Sequence, residues 1–276
     1  MPATLEQILT ATRQSLIQTK AAVRIGDLQR IAEKHAPRGF RRALESASRR
    51  GPAIIAELKK ASPSRGLIRQ DFDPEQLGRD LAESGANALS VLTDRPFFQG
   101  SLENLQKASS AVKLPCLRKD FIVDEFQVVE ARANSADAIL LIVAALSQVE
   151  LCGLMEAARE WQLDVLCEVH DKDEVSRAAD AGADLIGVNS RDLRTFKVDL
   201  KAALDLGELI PKHAVRVAES GIRGGEDICR LQKVGYQAFL IGESLMKVPH
   251  PGEALKALLN SVSASRDSNR STVSLP

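Results

Sequence analysis

A chain of 276 residues with 44% hydrophobic residues can bury one enzyme-sized core, and barrels of alternating strands and helices commonly fill that length as a single domain. Lysine plus arginine balances aspartate plus glutamate at 37 each, which excludes a global basic field for nucleic acid or an anionic membrane and leaves any anion site to be built locally. Cys116, Cys152, Cys167 and Cys229 form no C-x-x-C pair, and His35, His170, His213 and His250 show no short metal-ligand spacing, so the expectation is reduced thiols and no metal.

The N-terminal stretch "MPATLEQILTATRQSLIQTKAAV" is polar and amphipathic, without the continuous apolar segment of an export signal. No later run reaches the roughly 18 apolar residues of a membrane helix, so no membrane contact is expected and the expected location is the cytoplasm. Residues 1–48 carry helical patterning in "LEQILTATRQSLIQTKAAV" and "IGDLQRIAEKH", followed by the arginine-rich "RGFRRALESASRR", which predicts helices packed over a barrel end. A first apolar run, "AIIAELK", spans 53–59. After it "ESGANALSVLT", "NSADAILLIVA", "DAGADLIGVNS" and "KVGYQAFLIGE" repeat one phrase, a helix-ending turn and then a short apolar run. "PCLRK" (115–119), "DVLCEVH" (164–170) and "VRVAES" (215–220) complete a count of eight. The segments between them, such as "DPEQLGRDLAESG" and "LSQVELCGLMEAAREWQ", have apolar residues at helical spacing. Eight strand–helix units predict a closed (β/α)8 barrel, and the first run lacks the G-x-G-x-x-G turn of a dinucleotide-binding sheet. The expected organisation is one domain over 1–260, including the extension 1–48. The Ser-rich "SVSASRDSNRSTVSLP", 261–276, is expected to be disordered.

In such barrels chemistry gathers at the C-terminal ends of the strands. The first run ends with Glu57 and Lys59, the third with Lys119, and the fifth with Glu168. The sixth ends with Asn189 followed by Arg191, and the seventh with Glu219, Ser220 and Gly221. Strand side chains alternate with period two, so Glu57 and Lys59 share a face, as do Leu117 and Lys119. Buried acids and amines are costly unless paired, so several converging on one mouth point to proton transfer. A single strand-end charge could equally snorkel to solvent; it is the agreement among strands that carries weight. "AESGIRGGED" and "LIGESLMK" each lead from a strand through glycine into a helix, and two such adjacent loops favour a phosphate site around Gly221, Gly224, Gly225 and Gly242 over mere tight turns. Trp161 and Tyr236 read as packing residues, Cys167 as pointing outward, and His170, which could orient a substrate, more readily as a surface or hydrogen-bonded histidine.

The stretches "IIAELKKASPSRG", "SVLTDRPFFQGSLENL", "LRKDFIVDEFQVVEAR", "CEVHD", "IGVNSRDLRTF", "VAESGIRGGEDI" and "FLIGESLM" together resemble the indole-3-glycerol-phosphate synthase family, over residues 50 to 260 and in the family's order. The resemblance implies a small phosphorylated substrate, 1-(2-carboxyphenylamino)-1-deoxyribulose 5-phosphate, closed into an indole with loss of carbon dioxide and water. It implies no cofactor. Lys119 corresponds to the general acid at the C2′ carbonyl, and Glu57 and Glu168 to acid–base carboxylates. Lys59 acts either in dehydration or in holding the substrate, Asn189 orients it, and Glu219 with Ser220 belongs to the polar network leading to the phosphate. Ser62, Phe121, Arg191, Gly221, Gly242 and Glu243 are expected to contact substrate, and Phe97 and Phe98 to help wall in its aromatic ring. An acidic Lys119 is expected to need its pKa lowered by burial or a neighbouring cation such as Lys59, with nearby carboxylates pushing the other way. Two rivals stay open: a Schiff-base aldolase or synthase with Lys119 as nucleophile, and a non-catalytic barrel that binds a phosphorylated ligand for regulation.

Overall fold

The computed structural model describes residues 3–192 and 197–271. Eight parallel strands close into a barrel: β1 Ala53–Leu58, β2 Ala88–Leu92, β3 Cys116–Lys119, β4 Ala138–Ile142, β5 Asp164–Val169, β6 Leu185–Asn189, β7 Val215–Glu219 and β8 Ala238–Ile241. Each strand pairs with its sequence neighbours, and β1 closes the ring, with Ala53 beside Ala238 of β8 and Ile55 beside Ala88 of β2. All eight apolar runs are strands, because a parallel strand covered on both faces tolerates apolar residues at every position.

Alternation then sorts the side chains. Ile54, Ala56 and Leu58 point out to the helical layer, whereas Ala53 and Ile55 join Leu117, Leu166, Leu185, Val215 and Val217 inside the barrel. Two residues further along the same inward rows stand Glu57, Lys119, Glu168 and Glu219. The interior is therefore apolar in its lower layers and charged only in its top layer, at the C-terminal mouth.

The N-terminal extension reaches both ends of this barrel. Helix α3, Phe40–Ser48, buries Phe40, Leu44 and Ala47 against the lower interior layer and plugs the bottom. It is fastened by Asp137, which lies just before β4 and is wholly buried. Its Oδ1 and Oδ2 accept from Arg38 Nε at 3.1 and 3.0 Å, and it also accepts from the Cys116 and Arg38 amides and faces His35. The Arg41 amide likewise donates to Asp164, at 2.9 Å. Helix α1, Leu5–Ala22, starts in a capping box between Thr4 and Gln7 and lies at the opposite end, tied down by Lys20 to Asp124 at 2.6 Å. Helix α2, Ile25–Ala32, packs on the helix Glu125–Ala133, where Trp161 fills the seam under Arg132. Tyr236 is a buried packing residue whose hydroxyl donates to the Ala203 carbonyl.

The C-terminal segment corrects one expectation. The last helix runs from Pro251 to Ser271, so 261–271 is helical, and Val262 is buried at 2% exposure. A Ser-rich composition hid one apolar anchor and one capping serine. Gly225 leaves room for the helix, since a Cβ there would meet the Ser261 carbonyl carbon at 2.5 Å, and its N–H donates to Ser261 Oγ. Residues 272–276 of the expected tail lie outside the described residues.

Candidate active site

The top layer of the barrel opens into a cavity of about 670 Å³, closed on one side by Leu5 and Ile8 of α1. Glu57, Lys59, Ser62, Lys119, Phe121, Glu168, Asn189, Arg191, Glu219, Ser220, Gly221, Gly242 and Glu243 all line it. Six of the eight strands and the loops after them contribute these residues, so their convergence is a product of barrel closure and not of proximity in the chain.

Lys119 stands at the centre. Its Nζ donates to Glu168 Oε2 at 3.0 Å and lies 3.6 Å from Glu219 Oε2. Beside it Lys59 Nζ donates to Glu57 Oε1, as their shared face requires. Burial by itself would lower the pKa of Lys119, but Glu168, Glu219 and Glu57 outweigh it and hold the ammonium above its ordinary range. That overturns the expectation of a lowered pKa: the nearest charges on Lys119 are three carboxylates from β1, β5 and β7, and Lys59 is engaged by Glu57. The two acids on Lys119 are driven apart. Burial raises both, yet Lys119 and His170 hold Glu168 low, whereas burial and the neighbouring Glu168 charge push Glu219 up. The charges around the pair thus favour the ionised form at Glu168 and the protonated form at Glu219.

Glycines give these carboxylates their space. A Cβ at Gly242 would lie 2.8 Å from Glu57 Cβ and closer still to Oε1, and one at Gly187 would run into the Glu219 carboxylate. The loop after β7 turns through two left-handed residues, Ser220 at φ 64° and Gly221 at φ 80°, which brings backbone to the cavity wall. Gly224 and Gly225 do not line the cavity, so the expected phosphate loop narrows to Gly221 and Gly242. Around Glu243, Arg191 at 3.3 Å, Arg65 at 3.2 Å and Lys247 gather as a cationic rim. The Arg191 amide also donates to Asn189 Oδ1, which ties the loop after β6 to its strand. Phe98 and Phe121 line the cavity with ring centroids 6.2 Å apart, but Phe97 does not line it.

Several contributors escaped the sequence reading. Arg118 points outward from β3 and is buried between Asp120 and Glu130, while Asp120 accepts from Thr93 Oγ1 at 2.6 Å, so the ends of β2 and β3 are locked together behind Lys119. Asp94 caps the short helix carrying Phe98, and burial pushes it up to about 6. The signal for these lay in "TDRP" and "RKDF", an acid directly after each strand. Arg65 had none, since nothing local aims it at Glu243, whereas Lys247 stands four residues after Glu243, the spacing of a helical ion pair. Ser62 Oγ is buried with no protein hydrogen bond. Cys167 points outward, as alternation requires, and burial pushes its thiol up to about 12. Among the described residues no helix is long and apolar enough to cross a membrane, and no His, Cys, Asp and Glu side chains converge as a metal-binding set.

Fold and mouth together define a class, the (β/α)8 barrels with an ammonium–carboxylate site at the C-terminal end of the strands. Within it the particular family follows from comparison with known proteins. The model of the family described as indole-3-glycerol phosphate synthase matches residues 5–258, and the chain belongs to that family. The indole-3-glycerol phosphate synthase of Koribacter versatilis is 57% identical over 259 residues, covering 94% of this chain and 100% of the relative. That of Rhodospirillum rubrum is 47% identical over 258 residues, with 92% and 98% covered. A solved 3-hexulose-6-phosphate synthase, 16% identical, superposes with a TM-score of 0.61 over 76% of this chain and 99% of its own, a likeness of fold alone.

Proposed function

We propose that this chain closes 1-(2-carboxyphenylamino)-1-deoxyribulose 5-phosphate into indole-3-glycerol phosphate, with loss of carbon dioxide and water, as the step of tryptophan synthesis that its family's name describes. The observation that carries the reading is Lys119 held between Glu168 and Glu219 inside the mouth. An ammonium kept protonated well past neutral pH can donate to the C2′ carbonyl oxygen as charge develops there, and it needs no reorganisation to do so. Loss of carbon dioxide from the ring carbon that attacked restores the benzene ring, and Glu168, ionised, then accepts the proton given up at C1′ as the C2′ hydroxyl leaves. Glu57, paired with Lys59, serves the dehydration, and protonated Glu219 can donate to the departing hydroxyl. Gly221 and Gly242 with Arg191 offer backbone amides and a cation to the phosphate, Ser62, Ser220 and Asn189 orient the sugar, and Phe98 and Phe121 flank the aromatic ring.

The same charge argument disfavours the Schiff-base rival, since a nucleophilic lysine must lose its proton and the three carboxylates oppose that loss. Residues 1–260 are taken as one domain, because the extension contributes to both ends of the barrel, and the setting proposed is the cytoplasm with a small-molecule substrate as partner. The test is to add the carboxyphenylamino-deoxyribulose phosphate and follow indole fluorescence. A folded chain that gives no indole product would end this reading.

A further inference from the structure

We propose that His170 is a positioning residue, a standing imidazolium that orients Glu168 and keeps it ionised; the catalytic part of this rests on the function proposed above. His170 follows β5 two residues after Glu168, on the same side of the strand. Its ring lies between two carboxylates, with Nδ1 3.1 Å from Glu174 Oε2 and Nε2 3.5 Å from Glu168 Oε1. Glu174 is itself fixed. The same Oε2 accepts from the His170 amide at 2.7 Å, and the Glu174 amide donates to the cap Asp171 at 2.9 Å.

Protonation follows from this geometry. A neutral imidazole has one N–H, so in either tautomer it would aim a lone pair at one of the two carboxylates. Only the doubly protonated ring offers a hydrogen to both. Nε2 is buried and has no hydrogen-bond partner in the protein, which leaves Glu168 as the group it can serve by a small shift. The charged groups facing this assembly are Glu168 on β5, Glu174 on the following helix, Glu219 on β7, and Lys119 on β3, bonded to the other oxygen of Glu168. The carboxylate of Glu168 is therefore bracketed: Lys119 donates to Oε2, and His170 Nε2 faces Oε1 at 3.5 Å. Burial lowers the His170 pKa, but Glu174 and Glu168 overcome it and raise it above 6.5. The imidazolium is then present below that raised value and is lost as pH climbs through it. Once neutral, with its one hydrogen on Nδ1 against the closer Glu174, the ring would turn a lone pair on Oε1 and let Glu168 turn away from Lys119.

The ring can be observed directly. In protein labelled at histidine, the signal that disappears in His170→Gln reports this ring, and its titration midpoint should lie above 6.5, the unperturbed value. Glu174→Gln should lower that midpoint and move an alkaline limb of kcat to lower pH with it. His170→Gln should lose that limb and lower kcat roughly tenfold, the factor that accompanies one pKa unit of charge stabilisation, with KM little changed. A buried ring that merely packs would leave the limb in place. A midpoint at or below 6.5, or a kcat limb that stays put while the Glu174→Gln midpoint falls, overturns the proposal. Should His170→Gln not fold, Glu174→Gln carries the test, because the ring against Glu174 is the one whose signal shifts. A wild-type chain without indole synthesis would count against the proposed reaction alone, since the titration needs no turnover.

Discussion

Replacing Gly242 with alanine tests whether Glu57 must stay where the barrel holds it. Gly242 has φ −132°, outside the left-handed region that favours glycine, so the effect of the added methyl is argued from contact. The new Cβ would sit 2.8 Å from Glu57 Cβ, where ordinary contacts begin at 3.4 Å, so Glu57 must retreat by at least about 0.6 Å, and further at its carboxylate. That movement strains its bond to Lys59. Misplacing a reacting group by 1 Å costs on the order of 10²-fold in rate, so kcat should fall by about that factor. Overpacking should cost about 1–3 kcal/mol, or several degrees of melting temperature. KM should rise as well, since Gly242 borders the proposed phosphate position, but a glycine acting only as an anion contact would change KM and spare kcat. Gly153→Ala is the control, because a Cβ there meets nothing within 4 Å. Steady-state indole production with a thermal melt distinguishes the cases. A Gly242→Ala chain with wild-type kcat and raised KM would refute the reasoning about Glu57.

Lys119→Ala should bind substrate and lower turnover by about 10² to 10⁴, as expected for one positioned general acid. Intact mass after borohydride treatment with substrate should show no adduct on wild-type Lys119, and an adduct there would restore the imine reading. Asp137→Asn should cost about 3–5 kcal/mol in urea unfolding, because Arg38 then loses the carboxylate of a buried pair. Its folded pKa lies below 3.8, so the carboxylate's contribution is present above 3.8 and lost as pH falls through the folded value; Asp137→Asn should lack that part of the acid slope. Ending the chain at residue 260 should remove about 2–4 kcal/mol, from Val262 burial and the Ser261 to Gly225 bond, and an unchanged melting temperature would show that the last turns do not dock.

The parts of this molecule that could be read from its sequence are those where one strand carries the whole message. Continuous apolar runs mark strands covered on both faces, and within a run the period of two already lifts Glu57, Glu168 and Glu219 into the top interior layer. What escaped depends on neighbours brought in from elsewhere in the chain. The proton affinity of Lys119 is set by acids on β5, β7 and β1, so a local reading that offered Lys59 as its neighbour had the sign reversed. Gly187 and Gly242 look like turn glycines until closure sets Glu219 and Glu57 against them. Helix α1 declares its amphipathic face in sequence but not the end of the barrel it covers, which is set by partners distant in the chain: Ile8 buried beside the cavity, Lys20 paired with Asp124 and Arg13 with Glu150. The groups proposed to act in catalysis are thus announced strand by strand, whereas their protonation and the room they occupy belong to the closed ring. Substitutions at the silent glycines and at His170 are for that reason more searching tests of the mechanism than removal of the acids themselves.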